Sequence, residues 1–317
     1  MTKQELIYNK FSGCLFGQAI GDALGLGTEF LTKEEVKRIY PDKLDYYSRI
    51  IGDYHRCRWT KGDWTNDTDM MMCIARALIE DKSVNLTTIA QNFKNWFEGN
   101  PMGIGKHTFK VLAFTDYSKY PQKIANVIWE LSHKTSAANG GIMRTSVVGL
   151  LKKDVEQHAC DICSLTHAVP RCIGSCAIIS LLINSLVYQN QELSYEDIIC
   201  IAKKYDSRIE EYINLAQNSD DIKLLELDEY KSMGYTLKTL GAALWALWHS
   251  ENFENGLLAV VHAGGDADTN AAVACSILGA KYGYNSIPIK YINGLIKRDE
   301  LKNTIDKLYQ IINIETT

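Results

Sequence analysis

Proline is scarce in this chain, with five among 317 residues, and few runs alternate β-branched with polar side chains. Proline breaks helices, so its scarcity leaves room for long ones, and the thin alternating pattern argues against a fold built on sheets. Linkers are missing too. No Pro-, Ser- or Gly-rich stretch divides the sequence and no repeat of fixed period runs through it, so one domain over residues 1–317 is expected. No stripe of Lys or Arg offsets a formal net charge of −4 and a pI near 6.0, which argues against nucleic acid or an acidic membrane as partner. The opening Met1-Thr2-Lys3-Gln4-Glu5 lacks the apolar core of a secretory leader, and no apolar span of 18 residues is evident. A cytoplasmic protein that crosses no membrane is therefore expected. Nine cysteines, an odd number, sit within apolar helical runs, and no second CxxC partners Cys160-Asp161-Ile162-Cys163. They read as small buried hydrophobes in a reducing compartment rather than as a zinc or redox site, although His158 and His167 stand nearby.

Hydrophobic residues, 46% of the chain, are ample for a core. They recur at helical spacing over residues 4–26, 86–97, 122–132, 141–151, 171–188, 196–216, 235–248 and 268–282, with a last pattern near 301–312. The fold class is all-α. Glycines at 13, 17, 21, 25 and 27 interrupt the first pattern. Glycine costs a helix about 1 kcal/mol against alanine, so its return every four residues predicts a helix that another backbone approaches closely, followed by a turn carrying Asp22 and Glu29.

Two clusters concentrate hard oxygen donors: Trp64-Thr65-Asn66-Asp67-Thr68 and Gly264-Gly265-Asp266-Ala267-Asp268-Thr269. Carboxylates packed so tightly repel one another unless a cation neutralises them, and oxygen ligands suit Mg²⁺ or Mn²⁺ rather than zinc. Asp67 and Asp268 also stand where each could cap the helix that follows. Capping and ligation are compatible, because a helix N-terminus holds a carboxylate ionised.

These clusters belong to a longer pattern. Gly17-Gln18-Ala19-Ile20-Gly21-Asp22-Ala23-Leu24-Gly25 with Glu29-Phe30, Trp64 to Met70, Asn139-Gly140-Gly141-Ile142-Met143-Arg144, Thr166-His167 and Gly264 to Thr269 follow in an order that resembles the ADP-ribosylglycohydrolase family. That family includes the dinitrogenase-reductase-activating glycohydrolases and the ADP-ribosylarginine and ADP-ribosylserine hydrolases. The stretch 235–245 is similar to the helix preceding the last motif in bacterial members, and the likeness spans residues 10–310.

The resemblance implies a compact orthogonal multi-helix fold with two Mg²⁺ ions, Mn²⁺ being possible. It implies Thr65, Asn66 and Asp67 as ligands from one turn and Asp266, Asp268 and Thr269 from the other. Glu29 matches the family's candidate acid/base or gate, and Glu29 and Asp67 are the carboxylates nearest the chemistry. Gly103 and Gly105 match a glycine loop near the diphosphate, Ser136 and Asn139 flank the adenosine diphosphate, and His167 matches the Thr-His histidine. The implied reaction is hydrolysis of the glycosidic bond between ADP-ribose and a modified protein side chain or small conjugate. Arginine is the favoured acceptor, on the metal motifs and the loop around His107.

Two positions depart from the pattern. The first metal turn in the family usually reads Thr/Ser-Asp-Asp-Thr, and Asn66 replaces one of its acids. Gly103 stands where dinitrogenase-reductase-type enzymes often carry an aspartate. Asn66 sustains a rival reading, a weak or inactive member kept for ADP-ribose binding or for bulk structure, as in crystallins of this superfamily. Outside the pattern, His107 reads as a helix-start surface residue or a substrate contact. His262 reads as packing or site, Trp59 and Trp64 as cleft wall or packing for the first turn, and Tyr235 as core. The charged stretches 220–221 and 297–300 read as solvated faces.

Overall fold

Fifteen α-helices span the residues that the computed structural model describes, 1–314. They are α1 (Lys3–Gly25), α2 (Lys33–Ile39), α3 (Asn66–Asp81), α4 (Leu86–Glu98), α5 (Lys106–Leu112), α6 (Pro121–Leu131), α7 (Val155–Ser164) and α8 (Pro170–Asn184), then α9 (Tyr195–Lys203), α10 (Arg208–Asn218), α11 (Thr236–His249), α12 (Phe253–His262), α13 (Ala267–Tyr282), α14 (Ile289–Gly294) and α15 (Arg298–Ile314). Among the described residues there is no strand, only one isolated antiparallel bridge between Ala138 and Tyr235. The last three residues of the expected domain, 315–317, lie outside this description.

The α1 glycines explain how the centre is assembled. A Cβ built on Gly13, Gly17, Gly21 or Gly25 would lie 2.3, 2.1, 2.1 and 2.4 Å from the carbonyl oxygens of Gly279, Cys275, Ala271 and Ala267 respectively. Residues four apart share one helix face, so α1 and α13 run antiparallel at backbone contact over about three turns. The close approach expected of α1 is present, and α13 is the partner. Apolar side chains on their remaining faces, among them Phe11, Phe16, Ile20 and Ile277, join the core with Leu240 and Leu244 of α11.

Three expectations need correction. Residues 141–151 form two short 3₁₀ turns, Ile142–Arg144 and Ser146–Leu150, instead of a helix. They run against α8, where a Cβ on Gly149 would come within 2.6 Å of the Ser180 carbonyl. Residues 196–216 split into α9 and α10. Asp206 turns its carboxylate back onto the Arg208 amide at 3.0 Å, a local bond that competes with helix continuation. Finally, Pro170–Gln189 is a helical stretch long and apolar enough to cross a membrane by length and composition, but 72% of it is buried inside the molecule. It is α8 continued by a π-helical turn, Ser185–Gln189, and its apolar character serves the core.

Candidate active site

α3 starts inside the first acidic cluster, and its N-cap is Thr65, whose hydroxyl lies 3.5 Å from the Asp67 amide. Asp67 therefore does not cap the helix. The other free amides of this helix end are met from α1. Asp22 Oδ1 accepts from the Thr65 amide at 2.9 Å, and Oδ2 accepts from the Thr68 amide at 2.9 Å and its hydroxyl at 2.6 Å. Asp22 thus lies within α1 rather than in the turn after it, and it acts as a remote cap. Fully buried, its carboxyl is pushed up to about 7, with the Thr68 and Thr65 hydrogen bonds pulling the other way. Asp67 is buried as well. One of its oxygens accepts from Asn66 Nδ2 at 2.8 Å, while Oδ2 has no hydrogen-bond partner. Burial raises its carboxyl well above the usual range, the charges of Asp22, Asp266 and Glu29 add to the rise, and the Thr269 hydroxyl opposes it.

The second cluster depends on two glycines in the left-handed region, Gly264 (φ +70°) and Gly265 (φ +72°). A Cβ there would lie 2.3 Å from the Leu31 carbonyl and 2.1 Å from that of Leu227, so only glycine permits this turn. It leaves Asp266 at the N-cap position of α13 without a capping bond, and Asp268 and Thr269 in the first turn. Asp268 is no cap either. Its Oδ1 is buried without a partner, and burial raises its carboxyl well above the usual range, with the charges of Glu29, Asp67, Asp266 and Asp22 adding to it. Asp266 is pushed up to about 6 by burial and by Glu29, against a hydrogen bond from Asn139 Nδ2 at 2.6 Å.

The same turn pairs with the segment that carries Glu29. The Phe30 amide donates to the Gly265 carbonyl at 2.6 Å and the Gly265 amide to that of Leu31 at 2.8 Å. Phe30 pays for this pairing with φ +63°, a conformation that costs a bulky side chain about 1–3 kcal/mol and gathers at functional sites. One oxygen each of Glu29, Asp266 and Asp268 then lies within 4.8 Å of the others, the one such acidic group among the described residues. None of Asp22, Asp67, Asp266 and Asp268 has a Lys or Arg ion pair among the described residues. Buried carboxylates with orphaned oxygens and no cationic partner fit a divalent cation with oxygen ligands.

The other sequence-derived candidates lie on neighbouring loops and turns. The Ala138–Tyr235 bridge pins the 137–139 loop to α11, with the Asn139 amide donating to the Gly234 carbonyl at 2.9 Å. Asn139 Nδ2 also donates to Thr239 Oγ1 at 3.0 Å, which joins this loop to the second cluster. Beside it, Gly140 leaves room for His167: a Cβ would stand 2.9 Å from that ring. His167 is fully buried. Arg144 donates to the Thr166 hydroxyl at 2.7 Å, and that hydroxyl donates to His167 Nδ1 at 2.7 Å. The proton of the neutral ring is then on Nε2, which has no partner, and burial holds the ring well below its ordinary range.

His107 is buried rather than on the surface. It donates from Nε2 to the Thr166 carbonyl at 2.9 Å and accepts the Ser136 hydroxyl on Nδ1 at 3.1 Å, its ring centre 4.5 Å from that of His167. Of the two candidate glycines, Gly103 meets the first acidic turn, since a Cβ there would lie 2.9 Å from Asn66 Oδ1 and 3.2 Å from Trp59. Gly105 faces open space. Trp64 packs the turn through Asp69 at 2.8 Å, His262 accepts from the Leu44 amide at 2.9 Å as packing, and the half-buried Tyr235 holds Arg171 at 2.9 Å. All nine cysteines are free. Sequence reasoning gave no role to His55, Arg58 or Thr239, and Asp22 stood in the Gly17–Gly25 motif without a role, its signal an acid amid the apolar, glycine-spaced face of α1.

Fold and site together define a class: an all-α protein with a buried acidic cluster framed by glycine turns, a donor set that fits a divalent cation. The model of the ADP-ribosylglycohydrolase family matches residues 3–315, and the chain belongs to that family. It is 28% identical to the ADP-ribosylarginine hydrolase Tri1 of Serratia proteamaculans over 95% of this chain and 79% of that protein. To the ADP-ribosyl-[dinitrogen reductase] glycohydrolase of Rhodospirillum rubrum it is 23% identical, covering 98% of both. A solved ADP-ribosylglycohydrolase-related protein complex shares the fold with a TM-score of 0.75, at 23% identity over 97% of this chain and 99% of that one.

Proposed function

We propose that this protein is a Mg²⁺-dependent hydrolase, with Mn²⁺ as a possible substitute, that releases ADP-ribose from arginine side chains of modified proteins. The observation that carries the reading is the convergence of Glu29, Asp266 and Asp268, with Asp67 near enough to feel their charge and with Asp67 Oδ2 and Asp268 Oδ1 left unpartnered. Thr65, Asn66 and Asp67 would supply ligands to two ions from one turn, and Asp266, Asp268 and Thr269 from the other. When bound, such ions supply Lewis acidity, holding ribose hydroxyls and lowering the pKa of water.

The chain's own residues would do the rest. Water attacks the anomeric carbon of the distal ribose as the bond to the guanidine nitrogen breaks, through an oxocarbenium-like state. Glu29 takes the proton from the water and returns one to the leaving nitrogen, a role that typically contributes about 10²–10⁴-fold. Gly103, Gly105, Ser136, Asn139 and His167 would cradle the ADP moiety, the partnerless His167 Nε2–H offering a hydrogen bond. Arginine is preferred because the Serratia relative carries that activity in its name, and because the loop around His107 resembles those of arginine-directed members. A cytoplasmic setting is part of the same proposal.

Two variants test the roles. Asp268→Asn should abolish release from an ADP-ribosylarginine peptide while melting as a folded protein. Glu29→Gln should keep cation binding but lose about 10²-fold or more in kcat; wild-type turnover in Glu29→Gln would remove Glu29 from the chemistry. A second reading, an ADP-ribose-binding or structural protein with little activity, is favoured by one observation: Asn66 satisfies Asp67 with a hydrogen bond where the family usually has another acid. Tight ADP-ribose binding with no cation-dependent release would support it.

A further inference from the structure

Glu29 is gripped from outside its own segment. The loop 53–59 reaches over it, and Arg56 fixes its backbone, donating from Nη2 to the Glu29 carbonyl at 2.5 Å and from Nε to that of Gly27 at 2.9 Å. The Glu29 carboxylate is held separately, its Oε2 lying 2.5 Å from His55 Nε2. On the far side of the imidazole, Arg58 Nη2 lies 2.6 Å from His55 Nδ1. Arg58 is itself fixed, donating from Nη1 to the Met102 carbonyl at 2.8 Å and from Nε to that of His55 at 3.1 Å, with its guanidinium 4.5 Å over the Trp59 ring.

This order of partners determines the tautomer. A guanidinium has only donors, so His55 Nδ1 must present its lone pair and the proton must sit on Nε2, aimed at Glu29. We propose that Arg58 and His55 are positioning residues for the glycohydrolase reaction, a relay in which the guanidinium holds the imidazole through Nδ1 and the Nε2–H holds one Glu29 oxygen, leaving the other free. Without Arg58 the carboxylate still demands the Nε2 proton, but the ring is no longer fixed from its far side and can turn, so Glu29 loses a fixed donor. Arg58 also ties the Glu29 side of the cleft to Met102, next to Gly103. The role in turnover rests on the function proposed above. The tautomer does not.

The test uses the full chain with ¹⁵N-labelled histidine, observed by NMR, beside steady-state release of ADP-ribose from an ADP-ribosylarginine peptide and Mn²⁺ titration. Wild type should show His55 protonated on Nε2 alone. Arg58→Leu should keep the Nε2 proton but move the Nδ1 ¹⁵N resonance to that of a lone pair with no donor, and lose kcat by about tenfold or more, with KM and Mn²⁺ affinity unchanged. Arg58→Lys, which keeps a donor, should restore the Nδ1 resonance and most of kcat. His55→Gln, whose amide can still donate to Glu29, should outperform His55→Leu. An unmoved Nδ1 resonance in Arg58→Leu, or wild-type kcat in that variant, would overturn the proposal. The resonance is read without substrate, so the relay stands or falls on it even if wild type releases no ADP-ribose, an outcome that would instead sink the glycohydrolase reading.

Discussion

Asn66 is where one side chain decides most. Its amide donates to Asp67 Oδ1 at 2.8 Å and turns its oxygen toward Gly103, so in the absence of a cation it calms a carboxylate that burial and Asp22 already make hard to ionise. An aspartate there would exchange that donor for a second buried charge. Asn66→Asp should therefore destabilise the protein in EDTA, by about 1–3 kcal/mol for the lost bond, and should tighten Mg²⁺ binding. Melting curves with and without Mg²⁺ check both, and a variant whose Mg²⁺-induced shift is no larger than wild type would show that position 66 does not face the cation. The departure from the family pattern was visible in the sequence, but its partner was not. A hydrogen bond to the next residue and a contact with Gly103, 37 positions on, depend on how α3 is seated, and that is settled by Asp22 from another helix.

Among the elements, α1 and α13 matter most, because their seam sets the spacing of Asp22 and Asp268. A Cβ on Gly21 would stand 2.1 Å from the Ala271 carbonyl, and backbone yields less readily than a side chain. Gly21→Ala should cost about 1–3 kcal/mol by overpacking despite alanine's better helix propensity, and it should weaken cation binding by displacing both acids. Gly105→Ala, with nothing within 4 Å of the added atom, is the control and should melt like wild type. Thermal melts and Mn²⁺ titrations of the two variants suffice. The glycine spacing made a close approach legible, because period four in a helix marks one face, whereas the identity of α13 as partner required the fold. Helices with one apolar stripe, such as α4 and α6, were legible almost to their ends. The 141–151 stretch was not: its residues are apolar and correctly spaced, but burial against α8 favours 3₁₀ turns, and no local signal records that contact. Asp67 read as a possible cap for a similar reason, since a cap supplied from α1 leaves no trace near the helix it serves, whereas α13 has no side-chain cap bond at all.

At the scale of the whole molecule, acids are brought together at a cost that a cation would remove. Asp22 is raised to about 7 and Asp266 to about 6, against an ordinary carboxylate value of about 4. A raised acid stabilises the fold below its unfolded value, and that contribution is lost as pH rises through the folded value. The cation-free protein should therefore lose this stability between about pH 4 and pH 7, while cations, which need the ionised form, should stabilise it more at about pH 8 than at about pH 5. A hundredfold excess over Kd adds about 2.7 kcal/mol, so a pH series of melts with Mg²⁺ or EDTA reads the effect, and a Mg²⁺ shift that shrinks toward pH 8 would contradict it. The most direct test of the central claim is release of ADP-ribose from a defined ADP-ribosylarginine peptide, measured beside its ADP-ribosylserine counterpart, in Mg²⁺ and in EDTA. The account predicts release that requires Mg²⁺ and is faster from arginine; equal release in EDTA would contradict the cation-dependent site, and faster release from serine would contradict the acceptor.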